Sequence, residues 1–328
     1  MYDIITFGSA SWDIFIKPRS FCKIFDKKKF ITGDGICFDL GSKVDIDDIY
    51  FCSGGGGTNT AATFSKQGFK VSYCGMIGDD VSGNEIINEL KQFNIDTQFI
   101  YKTKKSKTNH SIAISGIENE DRTMLVYRGA SEFLKKKDIP FNKLKAKWFY
   151  LAPLSGNLSK IFELLVNFAY KNNIKIAVNP GNTQLSFPLE KLKKILKKVD
   201  ILILNQEEAS FLTKIPYEKE KEILKKIREI SNGLIIITKG SEGVSVLNDK
   251  YLYKAKTFNT KVIDKTGAGD SFSSGFISGF ILKNNIEYAI QLGSANATSC
   301  LQKWGAKNGL LSKNDKFKKI KVEKIKFN

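Results

Sequence analysis

From Phe69 onward the chain alternates short apolar runs of strand length with longer amphipathic runs of helix length. Residues 71–74 precede 82–93, 148–151 precede 158–170, 174–178 precede 189–196, and 201–204 precede 206–212; a further helix-like run, 217–230, leads to 234–238. A strand followed by a helix, repeated, is the pattern of βαβ units, whose strands lie parallel. The runs Ile-Leu-Ile-Leu at 201–204 and Leu-Ile-Ile-Ile at 234–237 are apolar at every position, as strands covered on both faces must be. The expectation is an α/β fold built on a mostly parallel central sheet. The 328 residues, 42% of them hydrophobic, are enough to bury a sizeable core.

Two regions break the rhythm. Residues 14–52 hold only short β-like pieces, at 36–40 and 44–50, and 108–128 hold two alternating runs around the polar stretch 118–121. Both are expected to join one small β-sheet outside the main fold, with a hairpin turn at 118–121.

The stretch Asp264-Lys-Thr-Gly-Ala-Gly-Asp270 carries the chemistry. It follows a β-like run, 251–262, and opens an apolar helix-like run, 271–282. A Gly-Ala-Gly turn entering a helix leaves backbone N–H groups of Gly267, Ala268 and Gly269 converging on one spot, an anion site backed by the helix dipole. Asp270 stands there. An anion cradle touching a carboxylate is what phosphoryl transfer to an alcohol requires, the amides taking developing charge and the carboxylate the hydroxyl proton. The plainer alternative is a glycine-rich turn with Asp270 as a helix cap. A helix start is expected to lower the pKa of Asp270.

Other stretches fit the same picture. Asp13 follows the N-terminal strand and Gly8, at the end where a parallel strand delivers side chains to a ligand crevice. Gly54-Gly-Gly-Gly57 precedes Asn59, which offers both donor and acceptor to hydroxyls, and a helix expected at 60–67. It is not a phosphate-binding Gly-Lys-Ser/Thr loop. Asn205 and Glu208 open a helix after a buried strand; Asn205 can contact phosphate, and Glu208 can hold a water of a Mg²⁺ ion, although acids in a first turn also serve the helix dipole. The glycine-bearing stretch 75–83 reads as structural.

Together these motifs resemble the ribokinase-like (PfkB) carbohydrate kinases. That family's C-terminal signature is D-T-x-G-A-G-D, with Lys265 here at its second position; G-G-x-G-x-N matches 54–59, and G-x-x-G-x-D-x-x-G matches 75–83. The resemblance runs in order from Gly8 to Ala306. It implies a three-layer α/β/α sandwich of nine or so parallel strands, with a small β-sheet lid, as one kinase domain over 1–328. It implies ATP as phosphate donor, Mg²⁺, and a monovalent cation, K⁺. It places Asp13, Gly55, Gly56 and Asn59 on the sugar, and Asn205, Thr238, Gly240, Gly243, Thr266 and Asn296 on the nucleotide.

Composition narrows the partners. The net charge of +18 is spread along helices where acids alternate with lysines, so it speaks for solubility and attraction of anionic nucleotides more than for nucleic acid. The basic tail 313–326 is the exception, and no nucleic-acid module accompanies it. Five cysteines without a C-x-x-C pair and one histidine, His110, argue against a zinc site and suit a reducing compartment. No run is long enough to span a bilayer, and no basic leader is visible, so a cytoplasmic protein is expected.

The expected activity is transfer of the ATP γ-phosphate to a hydroxymethyl group of a ribose-, fructose- or sugar-acid-like acceptor. A nucleoside acceptor, with Phe38, Phe51 or His110 meeting a base, stays open. So does a non-catalytic sugar- or nucleotide-binding regulator on the same fold, although it would have no need of Asp270. An apolar lid face including Phe38, Phe51 and Ile112 points to a homodimer through the lids.

Overall fold

The structure is a computed structural model that describes residues 1–30, 33–115 and 122–327. Its strands are β1 (Tyr2–Phe7), β2 (Ser11–Pro18), β3 (Cys22–Phe25), β4 (Asp34–Cys37), β5 (Ile46–Gly54), β6 (Val71–Gly78), β7 (Ile100–Thr103), β8 (Asn109–Ser115), β9 (Arg122–Tyr127), β10 (Ala146–Leu151), β11 (Lys175–Val178), β12 (Ile201–Asn205), β13 (Leu234–Thr238), β14 (Val244–Leu247), β15 (Tyr251–Ala255) and β16 (Glu323–Lys326). Its helices are α1 (Gly56–Lys66), α2 (Val81–Gln92), α3 (Phe162–Lys171), α4 (Asn182–Leu185), α5 (Leu189–Leu196), α6 (Gln206–Thr213), α7 (Glu220–Ile230), α8 (Ala268–Lys283) and α9 (Ile286–Leu301).

The main sheet runs β16-β15-β14-β13-β12-β11-β10-β1-β6-β7. From β13 to β7 every pairing is parallel, as the alternation requires. The remaining three strands pair antiparallel, so the mostly parallel sheet expected is a ten-stranded one with an antiparallel edge. That edge comes from a tight return into β14 and from the tail. Residues 313–327 do not trail off as a nucleic-acid arm: β16 pairs with β15, and Phe327 N donates to Lys250 O at 3.0 Å.

Strand residues alternate between two cores. Leu202 and Leu204 point to one face, covered by α3, α5, α6 and α7; Ile201 and Ile203 point to the other, covered by α1, α2, α8 and α9. Helix α7 shows why such helices form: Ile223, Leu224, Ile227 and Ile230 make one buried stripe, and lysines, glutamates and Arg228 fill the rest. Helices α8 and α9 pack on small residues. A Cβ at Gly275 would lie 3.1 Å from the Gly293 Cα, so the two helices touch almost backbone to backbone. This anchors the start of α8.

The segments outside the βαβ rhythm form two pieces, not the one sheet expected. A four-stranded sheet runs β5-β2-β8-β9, and β3 and β4 make a separate two-stranded ribbon. The sheet also starts earlier than residue 14, because the turn after Phe7 passes the chain directly from β1 into β2 at Ser11. The hairpin turn expected at 118–121 lies outside the described residues. No helix among the described residues is long and apolar enough to cross a membrane.

Candidate active site

Asp13 sits on β2 itself, not at the end of β1. Its strand position faces Ser111 of the parallel neighbour β8 and Cys52 of the antiparallel neighbour β5. Ser111 Oγ donates to Asp13 Oδ1 at 2.7 Å, and the carboxylate is buried on the inner face of the small sheet. Burial raises its pKa; hydrogen bonds from Ser111 and Ser11 and the charges of Lys307 and His110 pull it back.

Helix α1 begins at Gly56, earlier than the sequence suggested, so Asn59 stands in its first turn. From there Asn59 Nδ2 donates to Asp270 Oδ2 at 2.8 Å. Gly56 makes room for this meeting: a Cβ there would lie 2.9 Å from the Ala152 Cβ and 3.4 Å from Asp270 Oδ1. Asn59 Oδ1 is buried without a partner. An orphaned acceptor beside a carboxylate is a place for a donor, such as a hydroxyl.

Asp270 lies in the first turn of α8. Gly267 caps the helix with φ +73°, a left-handed conformation where a Cβ would meet the Ala306 Cβ at 2.3 Å, so only glycine fits. Around Gly269 nothing lies within 4 Å of a Cβ position, which leaves the cradle open above the amides. Ala268 N is in part engaged, 3.4 Å from Lys265 O. The pKa of Asp270 is raised, contrary to the helix-dipole expectation. Burial is the largest cause, against the Asn59 hydrogen bond and the charge of Lys307, which lower it. Desolvation sets the direction, and a raised pKa makes the carboxylate a stronger base.

Asp264 holds this turn in place. Its Oδ1 accepts from Thr266 N at 2.9 Å and Thr266 Oγ1 at 2.7 Å, its Oδ2 accepts from Gly305 N at 2.9 Å, and Arg122 of β9 pairs with it. The Thr266 hydroxyl is therefore turned inward to Asp264. Trp304 stacks on Tyr50 of β5 at 5.1 Å. Both contacts draw the small sheet onto the turns around α8. Neither Arg122 nor Trp304 stood out in the sequence, since each acts through a distant partner.

The nucleotide-side residues divide. Asn205 and Glu208 form a reciprocal cap, Asn205 N donating to Glu208 Oε2 at 2.9 Å and Glu208 N to Asn205 Oδ1 at 2.7 Å. The cap leaves Glu208 Oε1 unused, and burial, with Glu207 adding repulsion, raises the carboxyl pKa against the Asn205 hydrogen bond. No group of three or more acidic, histidine or cysteine side chains among the described residues could hold a bare metal ion. A Mg²⁺ ion that arrives on nucleotide phosphates and keeps its waters fits one carboxylate such as Glu208. Thr238 ends β13, and Gly240 beyond it is open on its Cβ side, whereas Gly243 packs against Ala255 O and serves the chain reversal.

Asn296 is corrected from nucleotide contact to internal strut. It is fully buried, with Nδ2 donating to Ser271 O at 2.8 Å and Oδ1 accepting from Leu311 N at 2.8 Å. Asn296→Ala is expected to cost about 2 kcal/mol of stability by orphaning those backbone groups, with nucleotide affinity unchanged; denaturant melts and nucleotide titration check both halves.

Beside Asp13 lies a cavity of 170 Å³ lined in part by Ser9, Ser11, Ser111, Ser131 and Ser155, with Arg128 among its walls. His110 lines it too, but its ring nitrogens already meet Ser82 Oγ at 3.0 Å and Thr108 O at 2.8 Å. Five serines, Asn109, Arg128 and Glu132 give this wall hydrogen-bonding groups for a small polyol, beside the apolar Val126 and Leu158.

Known proteins share this chain's family and fold. The family model for the pfkB family carbohydrate kinase matches residues 33–313. The chain is 27% identical over 276 residues to a ribokinase of Haemophilus influenzae, covering 80% of this chain and 85% of that protein. Among solved structures it is similar to Arabidopsis thaliana ribokinase complexed with ribose and ATP, at TM-score 0.76 and 19% identity over 95% of this chain and 96% of that one. It is equally similar to adenosine kinase from Sinorhizobium meliloti, at TM-score 0.76 and 22% identity over 95% and 97%.

Proposed function

The chain belongs to the pfkB family of carbohydrate kinases, phosphotransferases that take an alcohol group as acceptor, and from this premise we propose that it moves the γ-phosphate of ATP to a primary hydroxyl of a small sugar, with Asp270 as the base. One observation carries the reading. Asn59 and Asp270 meet at 2.8 Å across 211 residues, which joins the acceptor segment to the anion cradle. An acceptor hydroxyl placed there meets a proton acceptor and faces the amide turn of Gly267 to Gly269 together.

Asp13, Gly55, Gly56 and Asn59 hold the polyol. Asp13 accepts hydrogen bonds from its hydroxyls, and the unpartnered Asn59 Oδ1 takes another. Asp270 orients the reacting hydroxyl and receives its proton as the bond to phosphorus forms. The amides of α8 stabilise charge on the transferred group, and positioning supplies much of the rate. Asn205, Thr238, Gly240, Gly243 and Thr266 line the nucleotide side. Mg²⁺, when bound with the nucleotide near Glu208, neutralises phosphate charge. The small sheet acts as a lid that keeps water from competing for the phosphate.

The cavity is small, about 170 Å³, and its serines, Asn109 and Arg128 can meet acceptor hydroxyls, which favours a sugar as acceptor. The decisive test is ATP consumption by the purified protein with pentoses, hexoses, ketoses, sugar acids and nucleosides. Turnover of nucleosides alone would move the acceptor assignment, and turnover of none would remove the reading.

The lid also offers a self-association surface. On the face opposite Asp13, Ile14 pairs with Phe51 and with Ile112, and Ile112 with Leu125, a cross-strand apolar stripe with Phe51 and Leu125 exposed. A homodimer through this face is expected. Light scattering at micromolar concentration checks it, and a monomer there removes the dimer but leaves the lid.

A further inference from the structure

Lys307 is a buried ammonium that the reaction scheme above does not use. Its side chain is 3% exposed. Nζ donates to Ser53 O at 2.9 Å and to Ser53 Oγ, and lies 3.4 Å from Glu89 Oε2 of α2. Ser53 Oγ in turn donates to Glu89. A charge so enclosed is costly unless it is paired, and here it is paired once and hydrogen-bonded twice.

Its location links both halves of the site. Ser53 immediately precedes Gly54, where a Cβ would sit 1.8 Å from Asp13 Oδ2, so the strand end that Lys307 grips is the one pressed against the acceptor carboxylate. On its own side, Lys307 follows Gly305 and Ala306. Gly305 N is bound to Asp264, and Ala306 packs on Gly267 at the start of the catalytic helix. The positive charge of Lys307 acts on both Asp13 and Asp270.

We propose that Lys307 is a positioning residue for the transfer reaction: its ammonium ties the end of the acceptor strand to the turn behind the catalytic helix and sets the electrostatic field in which Asp270 works. The proposal rests on Asp270 being the base. A base must be ionised, and burial opposes that; a nearby cation restores it without touching the substrate.

The other groups facing Asp270 do not supply this charge. Asn59 of α1 is neutral. Tyr150 of β10 and Cys300 of α9 are held protonated, burial pushing the Cys300 thiol up to about 11 and the Tyr150 phenol well above its usual range. Asp13 of β2, Asp264 before α8, and Glu208, which like Asp270 acts on Tyr150, are carboxylates and repel rather than stabilise a further anion. Arg122 is engaged by Asp264.

The test is the pH profile of kcat/KM. Asp270 works deprotonated, so activity is lost as pH falls through its pKa. Lys307→Met removes the charge that lowers that pKa, so the acid limb moves to higher pH. The expected loss is roughly tenfold at the acid end and little at the alkaline end. Lys307→Arg keeps the charge and keeps the limb in place. Lys307→Met leaves the half-buried Glu89 without its cation, so Glu89→Gln combined with Lys307→Met guards against simple misfolding, and it too shows the displaced limb.

A loss equal at every pH, or an unmoved limb in the double variant, overturns the proposal and leaves only a structural tether. Carboxyl ¹³C titration reads the same displacement without any acceptor, with the Asp270 signal assigned by its loss in Asp270→Asn. A displaced carboxyl titration together with full activity of Asp270→Asn would uphold the electrostatic coupling while removing the base assignment. The two failures are thus separable.

Discussion

Asp270→Asn is expected to lower kcat by about 10²–10⁴-fold, the range a positioned general base supplies. The substitution keeps the shape of the side chain and can keep the contact with Asn59, so acceptor and nucleotide binding change little. Steady-state kinetics with the acceptor from the screen measure kcat and KM separately; near-normal kcat would falsify the base assignment.

The same variant carries a second, opposite expectation. Burial raises the pKa of Asp270 in the folded protein. A carboxyl with a raised folded pKa favours the folded state at low pH, and that contribution is lost as pH rises through the folded value. At neutral pH the ionised carboxylate therefore costs stability, and neutral Asn does not bear the cost. Asp270→Asn should melt higher than the parent at neutral pH, with the advantage disappearing in acid. Lower kcat with higher Tm separates a working base from a residue that merely holds the turn, whose loss would lower both.

Much of the fold was legible because parallel βαβ units write themselves locally. The all-apolar run at 201–204 became central β12, and the amphipathic run at 217–230 became α7. The turn at Gly267 was legible too, since a helix entered through Gly-Ala-Gly has few conformations to choose from. What escaped the sequence depends on residues far apart. The ionisation of Asp270 is set by burial, and a local dipole argument gave the wrong sign. Lys307 meets Ser53 across 254 residues, so nothing near it in sequence marked it out from other lysines. Asn296 lay in a stretch that suited a ligand, yet its amide nitrogen and oxygen are spent on Thr63 of α1, Ser271 of α8 and Leu311. The antiparallel edge was hidden because a basic tail reads as solvated until β15 is there to pair with it.

Asp13→Ala and Asn59→Ala should each weaken acceptor binding by about 1–3 kcal/mol, some five- to 150-fold in Kd, and leave nucleotide binding nearly intact. The two sit on different elements and act by different means. Asp13 is a buried acceptor fixed by Ser111, so its removal takes away a preset partner for acceptor hydroxyls and leaves that serine without its bond. Asn59 serves both sides: Oδ1 is open for a hydroxyl, and Nδ2 holds Asp270. Losing Asn59 therefore also removes a bond that favours the ionised form of Asp270, so its pKa rises further and activity fails at a higher pH than in the parent. Asp13→Ala lacks that second effect, because Asp13 is not among the groups bonded to Asp270. Calorimetry with acceptor and with nucleotide, run beside pH profiles of kcat/KM, distinguishes the two. Weakened nucleotide binding with unchanged acceptor binding would sink both assignments. A displaced acid limb in Asn59→Ala alone is the signature of an asparagine that holds the acceptor with one atom and the base with the other.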